Sequence, residues 1–308
     1  MPTFTNRATL SYNDVVTNSN IVTGELVEVL TATKNAIPDT YAAGDTVTYI
    51  ISIVNSGATA YTGLTITDDL GSYTVGGTEV APLDYIEGTA RYFQNGVLLP
   101  VTVEDPLTIT GITVPAGGNV QVIYEARINN AAPLAVGSTI TNVAEIAGGG
   151  LTNPITVTET VTVREDASLS IAKSICPDTV VENGQLTYTF VIQNMGNSPA
   201  VATDNVTVRD TFDPILSALT VQLDGATLAE GTDYTYDPAT GEFATTPGRI
   251  TVPAAAYVQD PETGIWTISP GVAVLRVTGT VCCLRRGRLG GTSDPFFGSN
   301  FRFFGYFF

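Results

Sequence analysis

"GDTVTYIISIVNSG" occupies residues 44–57. Val47, Tyr49, Ile51 and Ile53 fall on every second position, a glycine precedes them, and Asn-Ser-Gly follows. Apolar residues at a period of two, bounded by turn formers, make a β-strand with one face on a core. The pattern returns at "GQLTYTFVIQNMG" (184–196), with Tyr49 on Tyr188, Asn55 on Asn194 and Gly57 on Gly196. Working outward, "TATKNAIPDT" (31–40) matches "SIAKSICPDT" (170–179), which places Lys34 on Lys173 and Pro38 on Pro177. "LTITDDL" (64–70) matches "VTVRDTF" (206–212), which places Asp68 on Asp210. The chain carries one domain twice.

A third match is out of order. "TNRATL" (5–10) resembles "TNVAEI" (141–146), so the first residues read as the closing hairpin of a repeat. The second copy runs to "VLRVTGTV" (274–281), which resembles "VQVIYEARI" (120–128), and no Thr-Asn-x-Ala hairpin follows it. The expected organisation is an orphan hairpin at 1–30, a first Ig-like repeat at 31–166, and a second at 167–281 without its last hairpin. Residues 282–308 change character abruptly, holding seven of the 12 phenylalanines and four of the 13 basic residues. They read as a shifted frame or chimeric end ahead of an apolar assembly tail, and are expected to be disordered. Gly, Asn and Asp clusters separate the remaining runs, and no long amphipathic helix appears. The expected fold is all-β: tandem Ig-like β-sandwich repeats in an elongated rod.

Composition narrows the function. Thirteen Lys and Arg against 30 Asp and Glu give a net charge of −17, which repels nucleic acid and anionic membrane. No run is long and apolar enough to insert into a bilayer. "MPTFTNRATLSYND" does not read as a signal peptide, so a surface location is expected to need another export route or an upstream segment. With no histidine, the commonest general base and metal ligand are missing, and the three cysteines have no zinc or disulfide spacing. No EF-hand loop is present. No cofactor, no metal and no enzyme acting on an external substrate is expected. "YDPATGEF" (236–243) and "QDPETGIW" (259–266) read as two tight turns rather than a recognition loop.

Lys34 and Lys173 are the only lysines. By strand parity Leu30, Ala32 and Lys34 share a face, as do Leu169, Ile171 and Lys173. So do Leu64, Ile66 and Asp68, and Val206, Val208 and Asp210. Ile140, Asn142, Ala144 and Ile146 form a further such row, repeated in the orphan hairpin by Phe4, Asn6, Ala8 and Leu10. A lysine, an aspartate and an asparagine thus each continue a face expected to be buried, where unpaired polar groups are costly, so they should meet. A lysine in an apolar pocket has a lowered pKa and can act as a neutral nucleophile, while a buried carboxyl group tends to keep its proton. Amine attack on the carboxamide, with loss of ammonia, would leave a Lys–Asn isopeptide bond. Taking a disulfide that closes a loop of about 100 residues as a guide, the link would stabilise by roughly 4–5 kcal/mol. The plainer readings stay open. Asp68 can be a strand-end aspartate, with Asp69 confusing the parity. Asn142 can bond a bulge, and Lys34 can snorkel or join a non-covalent cluster.

The combination K…PDT, GDxVTYxIxxxNxG, LTITDxL and TNxA resembles the domain-of-unknown-function-eleven family, the "conserved repeat domain" of bacterial surface proteins. The resemblance covers nearly all of residues 1–281. It implies Ig-like repeats of stalks, adhesins and surface or spore-appendage proteins. The Lys, Asp and Asn placement is also similar to isopeptide-forming domains of Gram-positive pili and adhesins. That similarity implies Lys34 as nucleophile, Asp68 as proton-sharing acid and Asn142 as acceptor. In the second copy only Lys173 and Asp210 match. No LPxTG-type wall anchor is present. The function expected is a structural repeat protein of a cell-surface or spore-appendage fibre. It would polymerise with itself head to tail, Asn6 serving Lys173 of the next copy, beside other surface or spore-coat proteins. The alternative is an adhesin-type module for carbohydrate or protein, with Trp266 and Tyr257 as the candidate platform.

Overall fold

A computed structural model describes residues 3–25 and 29–283. The tail expected from residue 282 onward lies outside the described residues after Cys283. Contacts divide the chain into two units. One comprises residues 1–170, 193–200 and 252–272; the other comprises 171–192, 201–251 and 273 onward. No helix among the described residues is long and apolar enough to cross a membrane.

Residues 3–25 form a ribbon of β1 (Thr3–Asn6), β2 (Thr9–Tyr12), β3 (Val15–Asn18) and β4 (Val22–Glu25). β1 pairs antiparallel with β4, and β2 with β3. Both faces of the ribbon are exposed, including Phe4, Leu10, Tyr12, Val16 and Val22. The row Phe4, Asn6, Ala8 and Leu10, expected inside, is outside here, because no described sheet lies over it.

The first unit continues with β5 (Leu30–Ile37), β6 (Thr40–Tyr41), β7 (Thr46–Asn55), β8 (Tyr61–Asp68), β9 (Tyr73–Val75), β10 (Thr78–Val80), β11 (Leu83–Tyr85), β12 (Arg91–Gln94) and β13 (Val97–Leu99). β14 (Thr102–Glu104), β15 (Thr108–Val114), β16 (Asn119–Ile128), β17 (Thr139–Gly148) and β18 (Ile155–Val163) follow. They make a sandwich. One sheet has the order β13-β12-β16-β7-β5, with β11 also on β16; the other has the order β14-β15-β8-β17-β18-β6. Val47, Tyr49, Ile51 and Ile53 of β7 face Leu64 and Ile66 of β8 and Ile140, Ala144 and Ile146 of β17 in a single core. Alternation along each strand puts one residue in two inside, so two sheets packed face to face bury both patterns at once.

In the second unit β19 (Leu169–Cys176) and β20 (Gln185–Asn194) begin the repeat again. β21 (Arg209–Thr211), β22 (Ile215–Leu223), β23 (Ala226–Thr227), β24 (Tyr234–Tyr236) and β25 (Glu242–Thr245) follow. Between β25 and β28 (Gly271–Cys283) the chain returns to the first unit as a hairpin of β26 (Ala256–Gln259) and β27 (Trp266–Ser269). One sheet runs β19-β20-β28-β22-β23 and the other β21-β25-β24. Stacked Tyr188 and Phe212, with ring centroids 4.8 Å apart, lie at the centre of this unit.

The recurrent Asn-x-Gly proves to be a loop staple. Asn55 Nδ2 donates to the carbonyls of Thr59 and Pro115, and its Oδ1 accepts from Gly57 N. Asn194 does the same with Ser198, Pro253 and Gly196. A side chain at Gly196 would strike the Asp166 carbonyl at 2.2 Å, which is why glycine stands there. The two Asp-Pro-x-Thr-Gly stretches are tight turns, as their chemistry implies. Asp237 Oδ1 accepts from Ala239 N, and Asp260 Oδ1 accepts from Glu262 and Thr263 N. These donors hold both carboxyl groups below the usual aspartate value.

Candidate functional site

Lys34, Asp68 and Asn142 meet between the two sheets of the first unit. Lys34 lies on β5, the edge strand of its sheet, and points inward because parity keeps it on the face of Leu30. Asp68 ends β8 and Asn142 lies on β17, both in the facing sheet. β17 and β8 pair with Ala144 opposite Asp68, and Asn142, two residues along the same inward face, reaches the carboxylate through the Tyr124 hydroxyl. Lys34 Nζ is 2.8 Å from Asp68 Oδ2, with side-chain exposures of 0% and 2%. Asn142 is also fully buried.

Two tyrosines complete the cluster. Tyr124 on β16 donates its hydroxyl hydrogen bond to Asp68 Oδ2, the oxygen that Lys34 holds. Asn142 Nδ2 donates to the Tyr124 hydroxyl at 3.2 Å. Tyr49, opposite Tyr124 in the β7–β16 pairing, stacks on its ring at 5.4 Å, and Lys34 Nζ lies 5.1 Å from the Tyr49 ring centre. The remaining Asp68 oxygen accepts from Leu70 N. The carboxylate is therefore fixed on both oxygens. The carboxamide is held from one side only, since Asn142 Oδ1 has no hydrogen-bond partner.

The electrostatics follow from burial. Desolvation holds the Lys34 amine below its ordinary value, outweighing the opposing pull of Asp68, and of Asp69 and Glu159 beyond it. Burial likewise pushes the Tyr124 and Tyr49 hydroxyls up, so both keep their protons. The Asn142 amide acts to lower the Tyr49 value, yet the Tyr49 hydroxyl makes no hydrogen bond of ordinary geometry. A buried lysine whose surroundings favour the neutral amine is paired with Asp68, and through Tyr124 the same cluster holds a carboxamide with a bare carbonyl. That is the reactant set for amide exchange.

Tyr124 was legible in one respect. It sits on the alternation Val120, Val122, Tyr124, Ala126, Ile128, all inward-facing, where a hydroxyl needs a partner. Its partner depends on strand order, which the sequence alone does not supply.

The second unit repeats half of this site. Lys173 pairs with Asp210 and lies over Tyr188, Nζ 4.4 Å from the ring centre. The Lys173 side chain is 41% exposed where that of Lys34 is 0%. Leu169 and Ile171, expected inside with it, are exposed as well, and so is Ile175. In the first unit β17 and β18 cover this position, and among the described residues the second unit has no strands corresponding to them. Among the described residues no asparagine hydrogen-bonds Lys173. Asn6 lies on the exposed ribbon. The structure thus brings Lys34, Asp68 and Asn142 together, joins Lys173 to Asp210, and leaves Asn6 apart.

No family model matches the chain, and no curated protein does either. The resemblance to the conserved-repeat family stands on the quoted motifs alone. Among solved structures the chain is similar to a collagen-binding domain from a Staphylococcus aureus adhesin. That match is 14% identical, covers 46% of this chain and 100% of that one, and has a TM-score of 0.28. It is similar to the major pilin subunit BcpA of Bacillus cereus at 12% identity, over 87% of this chain and 73% of that one, with a TM-score of 0.33. A C-terminal fragment of the major pilin of Streptococcus agalactiae matches at 10% identity, over 79% and 91%, also with a TM-score of 0.33. TM-scores of this size do not establish a common fold, and the functional reading rests on the chain's own residues.

The aromatic pair considered as a binding platform is part-buried. Tyr257 packs on the first core and donates to the Met195 carbonyl, and Trp266 N donates to the Asn130 carbonyl. Among the described residues no group of three or more His, Cys, Asp or Glu is placed to hold a metal ion.

Proposed function

We propose that the chain is a structural protein of a bacterial surface or spore-appendage fibre, whose first repeat cross-links itself between Lys34 and Asn142. The observation that carries this reading is the fully buried contact of Lys34, Asp68, Tyr124 and Asn142 across the sandwich. In the reaction Lys34 enters as an ammonium and passes one proton to Asp68. The neutral amine adds to Cγ of Asn142, the Cγ–Nδ2 bond breaks, and the new Nζ–Cγ amide forms. Nδ2 receives the proton held by Asp68 and a second one from Nζ, and leaves as ammonium. Tyr124 positions the groups: it anchors the Asp68 oxygen and holds the leaving nitrogen. The bond would join β5, the first strand of the repeat, to β17, the last but one, and so fasten the two sheets to each other. A repeat stapled across its sheets resists unfolding by extension, which suits a load-bearing fibre. Assembly would run head to tail by strand complementation. Peptide mapping by mass spectrometry tests the reading: a branched peptide joining Lys34 to Asn142, one ammonia lighter than its parts, is expected from wild type. It should be absent from Lys34→Ala, Asp68→Ala and Asn142→Ala.

A further inference from the structure

We infer that Tyr49 is a catalytic residue of the Lys34–Asn142 cross-link: its hydroxyl donates to Asn142 Oδ1 as that oxygen takes up charge during attack by Lys34. The inference rests on reading the first unit as self-cross-linking, and adds to it the group that receives the charge.

Two buried polar atoms of the cluster are without a hydrogen-bond partner, and they are complementary. The Tyr49 hydroxyl has a proton and meets no acceptor, while Asn142 Oδ1 has lone pairs and meets no donor. Both residues are fully buried. An orphaned polar atom in a dry core is costly, so two in one cluster need a reason. The other donors there are committed. Tyr124 gives its proton to Asp68, and Lys34 Nζ lies on the same carboxylate. Asn142 spends its Nδ2 on Tyr124. Of the two hydroxyls in the cluster, that of Tyr49 is the uncommitted one.

The fold aims it at the acceptor. Tyr49 and Tyr124 stand directly opposite each other on β7 and β16, with their rings 21° from parallel. Neighbouring rings so placed carry their hydroxyls towards the same part of the facing sheet. The Tyr124 hydroxyl reaches Asp68 and Asn142 there. The Asn142 amide is also near enough to the Tyr49 hydroxyl to act against the upward push of burial on its pKa. Burial prevails, so the phenol keeps the proton it would donate. Lys34 Nζ lies 5.1 Å from the centre of the same ring, which puts amine, phenol and carboxamide in one small volume.

The second unit supplies a contrast. Tyr188 holds the position of Tyr49, under Lys173. Its hydroxyl donates to the Asp213 carbonyl at 3.5 Å. The same tyrosine is thus tied to backbone in one unit and left free in the unit whose cluster includes the carboxamide.

In the step, the Nζ lone pair forms the Nζ–Cγ bond while the π pair of the carbonyl moves onto Oδ1. The oxygen becomes negative and leaves the plane of the carboxamide. Tyr49 donates its hydrogen bond to it there and keeps its proton. The pair returns to re-form the carbonyl as the Cγ–Nδ2 bond breaks, and the nitrogen leaves as ammonium with the protons from Asp68 and Nζ. The resting carboxamide does not make this bond. Its stabilisation therefore falls on the transition state and goes into rate.

The test follows the full chain as it is made. Wild type and Tyr49→Phe, which keeps the ring and its stack, are pulse-labelled in cell-free translation and sampled over time. Half of each sample is challenged with protease to score folding. The other half is denatured, digested and mapped for the branched Lys34–Asn142 peptide. Tyr49→Phe should fold at the wild-type rate, link about 10²–10³-fold more slowly, and reach the same branched product on long incubation. Linking at the wild-type rate overturns this inference and leaves self-cross-linking standing. Folding slowed as much as linking also overturns it, because the hydroxyl would then serve folding and not the reaction. A wild type that folds and never yields the branched peptide overturns the self-cross-linking reading, and this inference with it.

Discussion

Replacing Asn142 by alanine removes the acceptor and leaves Lys34 paired with Asp68. Two losses follow. The covalent link between residues 34 and 142 closes a loop of roughly 100 residues, worth about 4–5 kcal/mol by the chain-entropy argument. The hydrogen bond from Asn142 to Tyr124 adds about 1 kcal/mol. For a domain of this size, about 2–4 °C per kcal/mol puts the fall in melting temperature at roughly 10–24 °C. Asp68→Ala should cost more. It abolishes the same bond and also strands Lys34 in the core without a counter-charge, which adds about 3–5 kcal/mol. Trp266, the only tryptophan, belongs to the first unit, so its fluorescence during denaturation reports on that unit. The expected order of midpoints is wild type, then Asn142→Ala, then Asp68→Ala. An Asn142→Ala midpoint within about 1 kcal/mol of wild type would refute the covalent part of this reasoning. An Asp68→Ala midpoint equal to that of Asn142→Ala would refute the part about the stranded charge.

Tyr124→Phe removes the phenol that holds both Asp68 and the Asn142 nitrogen, so cross-linking should slow and leave a mixture of linked and unlinked chains by mass; complete linkage at the wild-type rate would contradict that role. Tyr49→Phe deletes a buried hydroxyl that has no partner, so stability should rise or stay within about 0.5 kcal/mol of wild type by chemical denaturation. Asn55→Ala strands the carbonyls of Thr59 and Pro115 and should lower stability by about 1–3 kcal/mol, read from the same denaturation curve. In Asn142→Ala, Lys34 keeps a free amine whose folded pKa lies below its unfolded value of 10.5, so the folded state binds fewer protons. Stability should therefore climb with pH relative to wild type, be complete above 10.5, and be lost as pH falls through the depressed value. Parallel curves for wild type and variant just below pH 10.5 would contradict it.

Much of this was legible in the chain because strands announce their inward faces. Val47, Tyr49, Ile51 and Ile53 on one strand and Ile140, Asn142, Ala144 and Ile146 on another were assigned to faces by parity, and both rows are buried. The meeting of Lys34, Asp68 and Asn142 followed from the cost of burying each alone. Three features were not legible. Tyr124 joined the site through sheet order, with β16 placed beside β7 by pairing between residues far apart in sequence. The β26–β27 hairpin belongs by contact to the first unit, where Gln259 Nε2 donates to the Tyr73 hydroxyl. Local pattern carries no trace of that packing. Parity also says which residues share a face but not whether a sheet lies over it, so Phe4, Leu169 and Ile171 were expected inside and are exposed.

The most direct measurement is peptide mapping of the purified full-length chain after complete proteolysis. The self-cross-linking repeat requires one branched peptide containing Lys34 and Asn142, lighter by one ammonia than the two segments together. Recovery of Lys34 and Asn142 in separate, full-mass peptides from folded protein would contradict it.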